Sequence, residues 1–208
     1  MNIFHIGTIA FENDNTEREL KAIGGISGYI IELINYALFK KHSIGFIGKI
    51  YNYNLSSGIE YHQTQESISN TNTFLFKLFL KSLMIKLPEN SIIHAHRPDH
   101  LAVFIFLNRN PSVVTLHGQQ ALTVNIRKGF WIRKIYQTLE KYALKRVHKI
   151  IAVDEITRNF YSKLYPQHLN KICTIPTGVN TELFYPTNKS EAKMKLGISE
   201  SAKIILYV

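Results

Sequence analysis

The sequence predicts an α/β chain with a doubly wound, mainly parallel sheet and helices on both faces. Short β-rich runs that are apolar on both faces alternate with longer segments of helical period, the pattern of a parallel sheet covered on both sides. No repeat of solenoid period and no low-complexity tract competes with that reading. Right-handed crossovers between such strands then give a Rossmann-like domain.

The run NIFHIGTI at 2–9 reads as a buried strand, followed by a polar loop from Phe11 to Ser27 that ends in glycines. Tyr29 to Lys41 reads as a helix because Ile30, Ile31, Ile34, Ala37 and Leu38 share one face. SIGFIG at 43–48 is the second strand, and 49–70 is the least regular stretch. Thr73 to Leu87 is a helix stopped by Pro88. SIIHAH at 91–96 and SVVTLH at 112–117 are strands flanking a short apolar helix from Leu101 to Leu107. A long amphipathic helix covers Phe130 to Val147, and KIIAV at 149–153 is the fifth strand. A helix from Ile156 to Leu164, a strand KICTI at 171–175 and a short helix near Ser190 to Leu196 follow. The chain closes on KIILYV at 203–208, read as the first strand of a second α/β domain, or alternatively as an edge strand of the first sheet. The expected domains are therefore 1–186, and 187–208 as a connector and opening strand of a truncated second domain.

Composition narrows the class. Apolar residues are 45% of 208, enough for a core. The single cysteine, Cys173, excludes an internal disulfide and suits a reducing compartment such as the cytoplasm. The N-terminus has no basic-then-apolar leader pattern, and lysines break the longest apolar run, so no membrane-spanning helix is expected. The net charge of +10 is uneven: 125–149 holds eight basic residues against one acid, Glu140, a local net of +7. That patch favours an anionic partner.

Four short motifs sit where strands end. Gly24, Gly25 and Gly28 precede the first helix, where glycines permit close backbone approach and free N–H groups suit a phosphate. Their spacing is not the dinucleotide fingerprint, and a flexible turn is the alternative. His94 and His96 share a strand face, with His100 beyond. No third metal ligand is placed by the sequence, so polar residues at the top of the sheet are the plainer reading. His117 and Gly118 end the fourth strand, where open α/β sheets bind ligands; His117 can meet a sugar hydroxyl or merely shape the loop. Pro176 to Asn180 is a Pro/Gly turn containing Gly178.

In this order, the GG loop, "IIHAH", "PSVVTLHG" and "AVDEITRNF…KICTIPTGVNTELFYP" resemble the N-terminal domain of family-4 retaining glycosyltransferases of GT-B fold. "LGISESAKIILYV" resembles the segment that opens their second domain. Three positions depart from the pattern: Thr177 and Asn180 replace the usual Asn and Asp of the hinge motif, and Asp154 replaces a serine.

The resemblance implies a hexosyl-type transferase of polysaccharide biosynthesis. A nucleotide sugar is the donor, and a glycan or lipid-linked molecule is the acceptor. Transfer would retain configuration, with no metal or other cofactor. His117 carries over as the catalytic residue beside the donor sugar. Gly24, Gly25, His96, Gly118 and Gly178 carry over as substrate-binding positions. The donor-holding groups belong to the second domain, so residues 1–208 alone are not expected to turn over. Arg133, Lys134, Lys141 and Lys145, beside Phe130 and Trp131, would make a basic face for an anionic membrane on its cytoplasmic side. Lys134, Thr138, Lys141 and Lys145 stack together, with Ile135, Tyr136, Leu139 and Ala143 on another face; a solvated helix is the alternative. No nucleic-acid reader motif is present. The competing function is a non-catalytic α/β domain that binds a phosphorylated ligand.

Overall fold

The computed structural model describes residues 1–13, 20–22, 25–51, 54–64, 71–119, 130–179, 181 and 184–205. They form two compact units, Met1–Thr177 and Gly178–Val208.

The first unit is a sheet in the order β4-β3-β1-β5-β6-β7-β8. The strands are β1 (Asn2–Asn13), β3 (Ser43–Tyr51), β4 (Glu60–Gln63), β5 (Ser91–Ala95), β6 (Ser112–Leu116), β7 (Lys149–Ala152) and β8 (Ile172–Thr174). All neighbours on this path are parallel. A short β2 (Leu20–Ala22) returns antiparallel on the end of β1. The α-helices of this unit among the described residues are α1 (Gly25–Phe39), α2 (Thr71–Met84), α3 (Pro98–Ile105), α4 (Phe130–Arg146) and α5 (Glu155–Leu164). From β1 the chain winds outward to β3 and β4, then returns to lay β5 against the other side of β1. The order reverses between β1 and β5, which makes that gap the topological switch point.

Two cores account for the layers. Phe4, Ile6, Ile93, Val114, Leu116 and Ile150 of the sheet pack with Leu78, Leu101, Phe104, Leu144 and Tyr161 from α2, α3, α4 and α5. Ile9, Ile44 and Phe46 pack with Ile30, Ile31 and Ile34 of α1. Burying a side chain such as Ile30 or Ile34 contributes about 1.5–3 kcal/mol, so α1 is pinned by its apolar stripe rather than by propensity. β1 and β3 approach closely at one point: a Cβ on Gly48 would land on the Gly7 carbonyl oxygen, so only glycine fits there.

Differences from the sequence reading are local. The loop expected from Phe11 to Ser27 is shortened at both ends, because β1 runs to Asn13 and α1 begins at Gly25. The irregular 49–70 stretch contains β4, paired parallel to β3 through Gly45↔Glu60. α3 begins at Pro98, not Leu101, since a proline at the first helical position loses no bond. Asp154 caps α5 by accepting from the Thr157 N–H at 2.6 Å, a role that serine and aspartate fill about equally. The face expected from Ile135, Tyr136, Leu139 and Ala143 is rotated: α4 buries Tyr136, Glu140, Ala143 and Leu144, and Ile135 is exposed.

The second unit holds α6 (Lys189–Lys195), capped by Asn188. The buried Lys193 ammonium donates to the Glu200 and Ala202 carbonyls. Residues 203–205 of the expected terminal strand are not in a strand, and 206–208 lie outside the described residues.

Candidate active site at the switch point

The crevice beside the switch point is built from strand ends and one helix start. A cleft of about 320 Å³ is lined by Gly7, Thr8 and Ala10 of β1, by Gly25, Ile26, Ser27 and Ile30 of α1, and by His96, Arg97 and His100. The backbone N–H of Ala10 donates to the Ser27 hydroxyl at 3.1 Å, tying the end of β1 to the first turn of α1. Gly25 opens the helix, and a Cβ there would meet nothing within 4 Å, so the helix start faces open space. Such a terminus carries unbonded N–H groups and the positive end of the helix dipole.

Two imidazoles, His96 and His100, line the crevice, and His5, His94 and His117 gather around His96. His5 of β1 lies in register with His94 of β5. His5 Nδ1 and His96 Nε2 are hydrogen-bonded at 3.2 Å, and His94 Nε2 pairs with the Thr115 hydroxyl at 2.8 Å. The His94 and His96 rings are 4.5 Å apart, and His117 lies 5.7 Å from His96. Tyr29 of α1 sets its ring edge-on to His117 at 4.9 Å and to His96 at 5.8 Å.

Burial keeps these rings uncharged. Desolvation pushes His5, His100 and His117 down to about 4. His94 and His96 are pushed well below the ordinary value by desolvation first and by their neighbouring imidazoles next. Three buried ring nitrogens have no partner among the described residues: His96 Nδ1, His100 Nδ1 and His117 Nε2. The His5–His96 bond leaves His96 Nδ1 a donor or an acceptor according to which ring gives the proton, and open in either case. A neutral imidazole with one open nitrogen suits a hydroxyl, which both donates and accepts.

His5, His94 and His96 are also the candidate cation group among the described residues, their ligating atoms lying within 4.8 Å of one another. That span is wider than the roughly 3.3 Å between ligand atoms on a tetrahedral zinc, and His94 is already bonded to Thr115. The trio would fit an ion only if its ligating atoms drew closer together.

Residues 23–183 match the model of glycosyltransferase family 4, most of the chain. The chain belongs to glycosyltransferase family 4. No curated protein sequence matches it. Among solved structures it is similar to WaaG, a glycosyltransferase involved in lipopolysaccharide biosynthesis, at 13% identity and a TM-score of 0.65. The match covers 96% of this chain and 52% of WaaG, so the chain spans about half that protein's length. This likeness shows the fold.

Within this family-4 chain the structure brings Gly25 and His96 together in the cleft. His117 stands next to His96 outside the lining, and Gly118 follows it with a φ of 120° that an L side chain rarely adopts. Gly24 lies outside the described residues. Gly178 is exposed in the second unit.

On α4, Lys134, Lys141 and Lys145 are exposed, and Arg133 and Lys134 each lie 5.4 Å from the Phe130 ring. The one acid of the segment is withdrawn from that surface. Glu140 accepts from the Tyr161 and Tyr165 hydroxyls at 3.1 and 2.9 Å, and burial raises its pKa above the ordinary value.

Sequence reasoning missed His5, Tyr29 and Glu140. His5 carried a signal, a lone polar residue inside an apolar strand. Glu140 carried one too, an acid within a basic helix at an apolar spacing from Tyr136 and Ala143. Nothing in the sequence distinguished Tyr29 from the other helix aromatics.

Proposed function

We propose that the intact protein transfers a hexosyl group from a nucleotide sugar to a glycan or lipid-linked acceptor, with retention and without a metal. The supporting observation is the switch-point cleft, which sets the N-terminus of α1 opposite neutral histidines with open ring nitrogens. The helix start suits a phosphate, and the uncharged nitrogens suit sugar hydroxyls. In this reading residues 1–186 form the acceptor-side domain and 187–208 open the donor-side domain. The family resemblance assigns Gly24 and Gly25 to the loop against donor phosphate and acceptor, Gly178 to substrate binding, and His117 to the place beside the donor sugar. Catalysis is then stabilisation of the departing diphosphate and of the positive sugar ring. WaaG's part in lipopolysaccharide biosynthesis favours a cell-surface glycan as the product class. The test is product analysis of the intact protein with nucleotide sugars. Transfer with retained anomeric configuration that survives a chelator is expected; an inverted product or loss of turnover on chelation rejects the respective part.

The exposed lysines of α4 support cytoplasmic, peripheral attachment to anionic lipid. No helix among the described residues is long and apolar enough to cross a membrane. K134Q/K141Q/K145Q is expected to weaken binding to phosphatidylglycerol vesicles, most clearly at low salt, at about 1 kcal/mol per charge removed. Equal binding of the unaltered protein to neutral and anionic vesicles would remove this reading.

A further inference from the structure

Helix α2 has its apolar residues on the wrong side for a water-facing helix. Its inner face, Phe74, Leu75, Leu78 and Ser82, is buried. The opposite face carries Phe76 (62% exposed), Leu80 (42%), Leu83 (55%) and Met84 (77%). Their i, i+4, i+7, i+8 spacing aligns them in a single stripe. A helix packed on one side should turn polar residues to water, and a contiguous exposed apolar stripe marks a surface that meets something else.

The charges beside the stripe say what that is. α2 contains no aspartate or glutamate, while Lys77, Lys81 and the following Lys86 flank the stripe. The apolar surface continues across the end of α3: Phe79 and Phe106 rings lie 6.4 Å apart, and Phe106 and Tyr142 of α4 6.3 Å apart. It ends at Arg146, whose guanidinium lies 5.5 Å from the Tyr142 ring. A second copy of the chain would bring lysine against lysine with no carboxylate of α2 between them. An apolar stripe bordered, among the described residues of α2 and its end, by these cations matches the boundary between anionic headgroups and acyl chains.

We propose that α2 docks on an anionic lipid surface, with Phe76, Leu80, Leu83 and Met84 entering the acyl boundary and Lys77, Lys81 and Lys86 meeting lipid phosphates. This rests on the membrane reading made for α4 but on different residues, and it adds an apolar anchor to a charge-only contact. The apolar part should resist salt, whereas the α4 contribution should not.

The protein's single tryptophan, Trp131 on α4, allows the two helices to be separated. The L83W/W131F variant is mixed with phosphatidylglycerol–phosphatidylcholine vesicles brominated on their acyl chains. Quenching of its fluorescence is expected. F76S/L80S is expected to lower vesicle partitioning about tenfold or more, at high as well as low salt, with an unchanged circular dichroism spectrum. If L83W/W131F is unquenched while the unaltered protein's Trp131 is quenched, the α2 proposal fails and the α4 reading stands. If neither is quenched, both fail. Self-association without lipid that F76S/L80S abolishes would make the stripe an interface between copies and overturn the proposal.

Discussion

On the proposed transferase reading, His117→Ala in the intact protein is expected to lower kcat/KM by about 30- to 1000-fold while leaving the fold in place. His117 stands just past the C-terminal end of β6, and Gly118 behind it turns the chain with a positive φ. Its ring is held edge-on by Tyr29, and its buried Nε2 has no partner among the described residues. The nitrogen is thus oriented before a substrate arrives, and burial keeps the ring neutral down to about 4. One preorganised contact in a closed site supplies ~2–4 kcal/mol at the transition state, which sets the range of the loss. If the contact is made mainly as charge develops, kcat falls and KM changes little; a uniform contact would raise KM instead. The half-buried ring contacts Tyr29 and His96 at the end of the sheet, so the thermal midpoint should move by a few degrees at most. Steady-state kinetics decide it, and near-normal turnover by the variant would reduce His117 to a residue that shapes the loop.

The sheet was legible because its strands are buried on both faces. Runs such as Ile92-Ile93 and Val113-Val114 have no other economical use, and each expected first-unit strand forms within a few residues of its bounds. β4 was not legible: Glu60, Tyr61 and Gln63 are exposed at the sheet edge, and an exposed edge strand needs no apolar pattern. The site was legible in part. His96 and Gly25 could be placed because strand ends and helix starts converge at a switch point. Their partnership with His5 depends on the register of β1 against β5, which no single segment encodes. Glu140 entered the sequence reading only as the one acid in the charge of 125–149, because its burial depends on two tyrosine hydroxyls from and just after α5. The rotation of α4 that exposes Ile135 follows from the same contact, since burying Glu140 and Tyr136 fixes which stripe faces inward.

Acid should destabilise the first unit well before its carboxylates titrate, because its histidines are buried uncharged. An unfolded histidine takes up a proton near 6.5, whereas His5 and His100, each almost wholly buried, do so at about 4 when folded. Above about pH 7 neither state is protonated and stability is flat in this respect. As pH falls through 6.5 the unfolded chain binds the proton and the folded chain does not, so stability drops by ~1.4 kcal/mol per pH unit for each such ring. The drop ends near 4, after about 3 kcal/mol for His5 and a similar amount for His100. His94 and His96 act in the same direction. Glu140 acts in the opposite one: its raised pKa means the folded state binds its proton first, which offsets a part of the loss as pH falls. Asp99, held below its ordinary value by His100 and Arg97 against the cost of burial, adds a further loss only at lower pH. With His117, five histidines against one glutamate leave a net loss of several kcal/mol between about pH 6.5 and about pH 4.5, on the scale of a whole domain's stability. Urea unfolding at a series of pH values measures it. His5→Phe should remove close to one proton from the slope in that window, because Phe fills the ring's volume without titrating. A slope that is unchanged in His5→Phe, or a stability that is level from about pH 7 to about pH 5, would mean these imidazoles accept protons in the folded state and that the cluster is open to water.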